Sequence, residues 1–130
     1  MLMRPLGRSG NAISAMGFGC GGYWGYPAFN EQKAADLVRM AVEGGVNFLD
    51  TGGSYSGGNA ELRLGRILKF LNTSNLIIGT KAGTVIRGGR LVKDYSPSSL
   101  KDQVESSLVR LGLEQLPLLQ LHGIPLDGLD

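Results

Sequence analysis

A single cysteine, Cys20, excludes any disulfide within the chain and leaves nothing that points to an oxidising compartment. Charge of one sign is also lacking. Thirteen Lys and Arg against eleven Asp and Glu leave a net charge of +2, with no basic run, which argues against a nucleic-acid partner. No apolar stretch approaches the roughly 20 residues needed to cross a bilayer. An export signal ending at a lipidated Cys20 would need an unbroken apolar segment. Asn11, Ser14, Gly17 and Gly19 interrupt it, and bulky Phe18 stands where a small residue is wanted. These absences predict a soluble, cytoplasmic protein that binds neither membrane nor nucleic acid. A 42% hydrophobic, 18% charged composition is ordinary for a globular protein, and 130 residues suit one domain, residues 1–130.

Glycine is abundant, with 21 residues gathered at the ends of apolar runs. "IRGGR", Ile86 to Arg90, has the composition of an RGG nucleic-acid segment, but its flanks "TVI" and "LVK" predict a β-hairpin turning at Gly88–Gly89.

Three segments share one plan. "NEQKAADLVRMAVEGG" (30–45) sets Ala34, Leu37, Met40 and Ala41 at helical spacing after an Asn30 cap and before a Gly44 stop, and runs into "VNFL". "NAELRLGRILKFL" (59–71) puts Leu64, Ile67, Leu68 and Leu71 on one face after an Asn59 cap, and leads to "LIIGT". "SPSSLKDQVESSLVRLG" (96–112) has Ser96 as cap, Pro97 in the first turn and a stripe of Leu100, Val104, Leu108 and Leu111, and leads to "LPLLQL". With "AMGFG" (15–19) as a first strand, the order is a strand followed by three helix–strand units. That predicts an α/β fold with a parallel sheet covered by helices. "MRPLGRSGNAIS" predicts a small N-terminal hairpin. The strands fall at about 4–6, 12–14, 15–19, 47–50, 76–81 and 116–121.

The three later strands end alike, at Asp50 before "TGG", at Lys81 before "AGT" and at His122 before "GIP". Carboxyl ends of parallel strands share one edge, and adjacent strands ~4.8 Å apart would gather the three side chains within about 10 Å. Sites of α/β folds collect at that edge. Asp50 beside Lys81 would hold the ammonium in place and charged. Tyr55, on a Gly-rich loop five residues past Asp50, could fold back to Lys81, whose charge stabilises a phenolate. Such a tyrosine can protonate a carbonyl oxygen while the carbon accepts a hydride, with His122 orienting the same oxygen. Each residue also has a plainer reading: Asp50 as a turn former, Tyr55 as surface packing, His122 as a structural histidine. Tyr23 and Trp24 are candidates to line a pocket.

"MGFGC", "NFLDTGGSYSGGNAE", "IIGTKAG" and "DYSPSSLKDQVESSLVRLGLEQLPLLQLH", with Asp, Tyr, Lys and His in that order, resemble the aldo-keto reductases from about Arg4 to His122. The resemblance implies a TIM (β/α)8 barrel, here its first half with parallel strands 1–4, three helices and the N-terminal hairpin. It implies a carbonyl reductase or alcohol dehydrogenase that uses NADPH. The family's tetrad falls on Asp50, Tyr55, Lys81 and His122. Gly19, Cys20, Gly21 and Asp50 become cofactor contacts, a small carbonyl or sugar-like molecule the substrate, and no metal is assigned. "GGSYSGG" departs from the family, which usually has a bulkier residue than Gly52 or Gly53, and the departure bears on the shape of the substrate pocket.

A whole barrel takes ~250 residues. The expectation is that the 130-residue chain alone does not turn substrate over, and that its open sheet edges favour self-association. Two other readings compete. A non-catalytic half-barrel would act only in assembly or binding. A dinucleotide fold would use "GFGCGG", where Gly17, Gly19 and Gly22 satisfy G-x-G-x-x-G. "YWGYPAF" follows where a helix should start, and the acid at Asp50 lies 28 residues after Gly22, beyond the expected ~20.

Overall fold

The computed structural model describes residues 1–125; residues 126–130 of the expected domain lie outside the described residues. Two short strands, β1 (Met3–Pro5) and β2 (Ala12–Ser14), form the expected antiparallel hairpin. Asn47 ties it to the sheet: its Oδ1 accepts from the Ser14 amide at 2.7 Å, and its Nδ2 donates to the Ala12 carbonyl at 2.9 Å.

The central sheet has four parallel strands: β3 (Phe18–Gly19), β4 (Phe48–Asp50), β5 (Ile77–Ala82) and, after a hairpin of β6 (Thr84–Arg87) and β7 (Arg90–Lys93), β8 (Leu118–Leu121). Their spatial order, β3-β4-β5-β8, is their chain order, and each step is parallel. The β6–β7 turn is the expected one at Gly88 and Gly89. Both have positive φ, +56° and +76°, which a two-residue hairpin turn demands and glycine supplies freely.

Helices α1 (Glu31–Glu43), α2 (Asn59–Leu68) and α3 (Pro97–Leu111) form one layer, since α2 touches both of the others. Between them and the sheet lies a core that includes Val38, Leu49, Leu64, Ile78 and Leu111, each at most 2% exposed. Burial of each such side chain stabilises the fold by about 1.5–3 kcal/mol. Four parallel strands in sequence with helices along one face are half of a (β/α)8 barrel. Among the described residues no helix is long and apolar enough to cross a membrane.

The helices differ from the expectation in three details. On α1 the buried stripe is Ala34 and Val38, while Leu37 and Met40 are exposed. Spacing of 34-37-41 and of 34-38-41-42 describes two adjacent faces of the same helix, and only the sheet decides between them. Asn30 does cap α1, accepting from the Lys33 amide at 2.8 Å. Asn59 does not cap α2; that position is Gly58, and the Asn59 amide group instead donates to the Gly25 carbonyl at 2.7 Å. Ser96 precedes α3, but its hydroxyl bonds back to Asp94 at 2.7 Å and caps nothing.

Candidate active site

Strand register turns three strand ends into a staircase. Asp50 on β4 lies opposite Gly79 on β5, Lys81 stands two residues farther along β5 opposite Gln120, and His122 stands two residues past Gln120. Side chains two residues apart share a face, so all three project from the same side of the sheet, each one step higher than the last. That side is the one away from the helices, because Leu49 and Ile78, of opposite parity, are the core residues.

The ammonium of Lys81 is fully committed. It donates to Asp50 Oδ1 at 2.8 Å, to Asp50 Oδ2 at 2.7 Å and to the Thr51 carbonyl at 2.7 Å. Lys81 has three N–H donors, and all three are spent. The expected Lys81–Tyr55 contact therefore takes another form: the nitrogen lies 5.0 Å from the centroid of the Tyr55 ring and faces the π-system instead of the hydroxyl. The Thr51 carbonyl was absent from the sequence reading, because nothing in a side-chain pattern marks a backbone acceptor.

Glycines surround the Tyr55 ring for a steric reason. A Cβ on Gly21 would come within 2.9 Å of its Cδ2, and one on Gly52 within 3.1 Å of its Cε1. The bare loop makes room for the phenol to lie down between two backbones. The His122 ring meets it edge-on, with centroids 5.6 Å apart and planes at 80°. The structure thus brings Asp50, Tyr55, Lys81 and His122 together.

His122 Nδ1 is a buried polar atom without a protein partner among the described residues. Burial, then the charges of Lys93 and Lys81, hold the imidazole below its ordinary pKa, with Asp50 opposing. Its backbone amide continues the ladder to the Ala82 carbonyl at 2.7 Å. Its own carbonyl accepts from Lys93 Nζ at 2.5 Å and from Tyr95 Oη at 3.0 Å. The sequence reading gave neither Lys93 nor Tyr95 a role, since only the folded hairpin brings them to residue 122.

The expected cofactor contacts divide. Gly19 is exposed, with nothing within 4 Å of the place a Cβ would occupy, so ligand can approach its backbone. Cys20 has no exposed surface. It follows Gly19, which pairs with Asp50, so the period-2 rule turns it toward the helices, and its carbonyl accepts from Thr51 Oγ1 at 3.1 Å. Burial, with Asp50 adding to it, pushes its thiol up, away from reactivity. Gly21 serves the Tyr55 ring. Trp24 is a core residue whose Nε1 donates to the Ala34 carbonyl at 3.3 Å, whereas Tyr23 is exposed. No group of three or more His, Cys, Asp and Glu among the described residues could hold a metal ion.

Two buried charges support the rim. Arg63, 2% exposed, donates to the carbonyls of Trp24, Tyr26 and Phe29 and to Glu31 Oε2, the last at 2.7 Å, and so holds the loop after β3 in shape. Glu61, with no exposed surface, accepts from Thr80 Oγ1 and from Arg110 Nε, joining α2 to β5 and α3.

Known proteins share this arrangement of sequence and fold. The description of the Aldo/keto reductase family matches residues 15–127. The chain is 32% identical over 132 residues to the NADH-specific methylglyoxal reductase of Escherichia coli, covering 91% of this chain and 40% of that protein. It is 36% identical to the L-galactose dehydrogenase of Arabidopsis thaliana over 98% of this chain and 40% of that one. The holo form of an aldo-keto reductase from Bacillus halodurans superposes with a TM-score of 0.85 at 34% identity, over 98% of this chain and 42% of its own. The chain spans about 40% of the length of the curated relatives it matches. Family match, sequence identity and superposition agree with the four parallel strands, and the chain belongs to the aldo/keto reductase family.

Proposed function

We propose that this chain supplies the catalytic rim of a nicotinamide-dependent carbonyl reductase, with Tyr55 as general acid. The observation that carries the reading is Lys81, locked by both oxygens of Asp50 and held against the Tyr55 ring, which the His122 ring also meets.

As the substrate oxygen gains negative charge, Tyr55 gives it a proton, and the nearby ammonium stabilises the phenolate left behind. Asp50 fixes Lys81, so the ammonium is in place before the reaction begins. His122, whose neutral form burial and two neighbouring lysines favour, is suited to donate a hydrogen bond to the same oxygen. Its unpartnered Nδ1 is a ready place for a ligand's polar group. The open backbone at Gly19 and the partly exposed Asp50 fit a nicotinamide group, which when bound supplies the hydride. NADPH is the form the sequence resemblance implies, and one relative is named for NADH, so both belong in the test. A small carbonyl compound or a sugar-like molecule fits the substrates for which the two relatives are named, methylglyoxal and L-galactose.

A chimera in which this chain replaces its matching segment of the Escherichia coli relative tests the reading. It is expected to oxidise NADH or NADPH at 340 nm in the presence of methylglyoxal. Tyr55→Phe is expected to lower kcat by about 10²–10⁴ while leaving cofactor binding intact. Undiminished turnover in that variant rejects the role. The 130-residue chain by itself is expected to be inactive and, through the exposed Leu119 and Leu121 of β8, to self-associate in light scattering.

A further inference from the structure

We propose that Lys93 and Tyr95 are positioning residues for His122: by donating together to its carbonyl, they fix where its imidazole stands against Tyr55. The inference rests on the reading that His122 belongs to the reactive rim.

β8 is the end strand of the sheet order, hydrogen-bonded only to β5 among the described residues. Past Leu121 the ladder contributes one further bond, from the His122 amide to Ala82. That bond holds the His122 amide, and the carbonyl of the same residue has to be held from elsewhere. The second hold comes from outside the sheet. Lys93 closes β7 and reaches both the His122 carbonyl and Thr84 Oγ1, the latter at 2.8 Å. Tyr95, two residues later, reaches the same carbonyl.

The hairpin that carries both donors is itself anchored. The Asp94 amide donates to the Gly83 carbonyl at 3.1 Å, the Gly83 amide to Gln103 Oε1 at 2.8 Å, and Gln103 Nε2 to the Asp94 carbonyl at 3.3 Å. Gly83, with φ at +105°, leaves the space in which the Tyr95 ring lies; any Cβ there would collide with that ring. One ammonium and one phenol on a single carbonyl make a stronger hold than a neutral ladder bond. The ammonium also faces the imidazole as a like charge. Among the described residues the charged groups around His122 are Lys93 from β7, Lys81 from β5 and Asp50 from β4, with the Tyr55 and Tyr95 phenols beside them.

His122 is the chain's only histidine, so nuclear magnetic resonance follows its ring without overlap. In Lys93→Met the titration midpoint of His122 is expected to move upward, and in Lys93→Arg, which still donates a charged hydrogen bond, to return toward the original value. In Tyr95→Phe the cross-relaxation between the His122 and Tyr55 rings is expected to weaken. Loss of the like charge moves the midpoint in Lys93→Met by itself, so the ring contact is the deciding readout: a merely stabilising hairpin would lower the melting temperature of all three variants and leave that contact unchanged in the folded form. A ring contact between His122 and Tyr55 that is unchanged in both Lys93→Met and Tyr95→Phe overturns the proposal. Altered resonances in these variants with full turnover of the corresponding chimera would keep the positioning role and remove His122 from catalysis. Full turnover in Tyr55→Phe strikes only the proposed function.

Discussion

Arg110 on α3 donates through Nε to Oε2 of Glu61 on α2 at 2.7 Å, and Glu61 has no exposed surface at all. The pair joins two neighbouring helices directly behind the strand that carries Lys81, and Thr80 of that strand holds the carboxylate's other oxygen. Removing one partner strands the other.

Arg110→Met should therefore destabilise the fold by about 3–5 kcal/mol, since it leaves a buried carboxylate unpaired. The double variant Arg110→Met with Glu61→Gln should be less destabilised than Arg110→Met alone. Urea denaturation of the three proteins measures both. Equal losses for the single and the double would show that the charge is not what the arginine serves.

Gly65 lies where α2 comes closest to α3, and a Cβ there would collide with the carbonyl of Arg110 and the backbone of Leu111. Alanine gains about 1 kcal/mol of helix propensity over glycine in an exposed helix. Here the overpacking, about 1–3 kcal/mol, should outweigh it and leave Gly65→Ala less stable than the parent. A thermal melt decides the sign.

Stability should depend on pH through His122. Its folded pKa lies below the ordinary 6.5, so the unfolded chain takes up a proton first as pH falls. Stability is held above about 6.5 and lost as pH drops from there through the lowered folded value. Glu31, lowered by its hydrogen bonds to Arg63 and Arg66 against the effect of burial, acts in the same direction but below 4.5, a separate window. Denaturation midpoints between pH 7.5 and 5 should slope in the parent and flatten in His122→Asn.

Arg63→Met removes the donor shared by three carbonyls of the 22–29 loop. Hydrogen exchange at Tyr26 and Phe29, whose amides are bonded inside that loop, should accelerate by an order of magnitude or more, while Ile78 and Thr80 in β5 stay protected. Uniform acceleration would mean that the arginine holds the whole fold and not the loop.

Much of this was legible in the residues. Apolar runs separated by amphipathic segments carry the parallel sheet and its three helices, and Gly88–Gly89 announces its hairpin. Asp50, Lys81 and His122 announce themselves by ending those runs. The parts that stayed hidden are those that register or distance decides. Which flank of α1 is buried depends on a sheet that spacing does not see, so Val38 took the place expected of Leu37. The three acceptors of Lys81 include a backbone oxygen, and the hold on His122 spans 27 residues from Tyr95. The diagonal placement of Asp50, Lys81 and His122 comes from strand register, which no run of residues spells out.

Because β3, β4, β5 and β8 stand side by side in the order of synthesis, no later strand has to be threaded between earlier ones. All four groups of the rim are in hand once residue 122 has left the ribosome. Their arrangement can assemble while translation proceeds, one crossover at a time from the amino end.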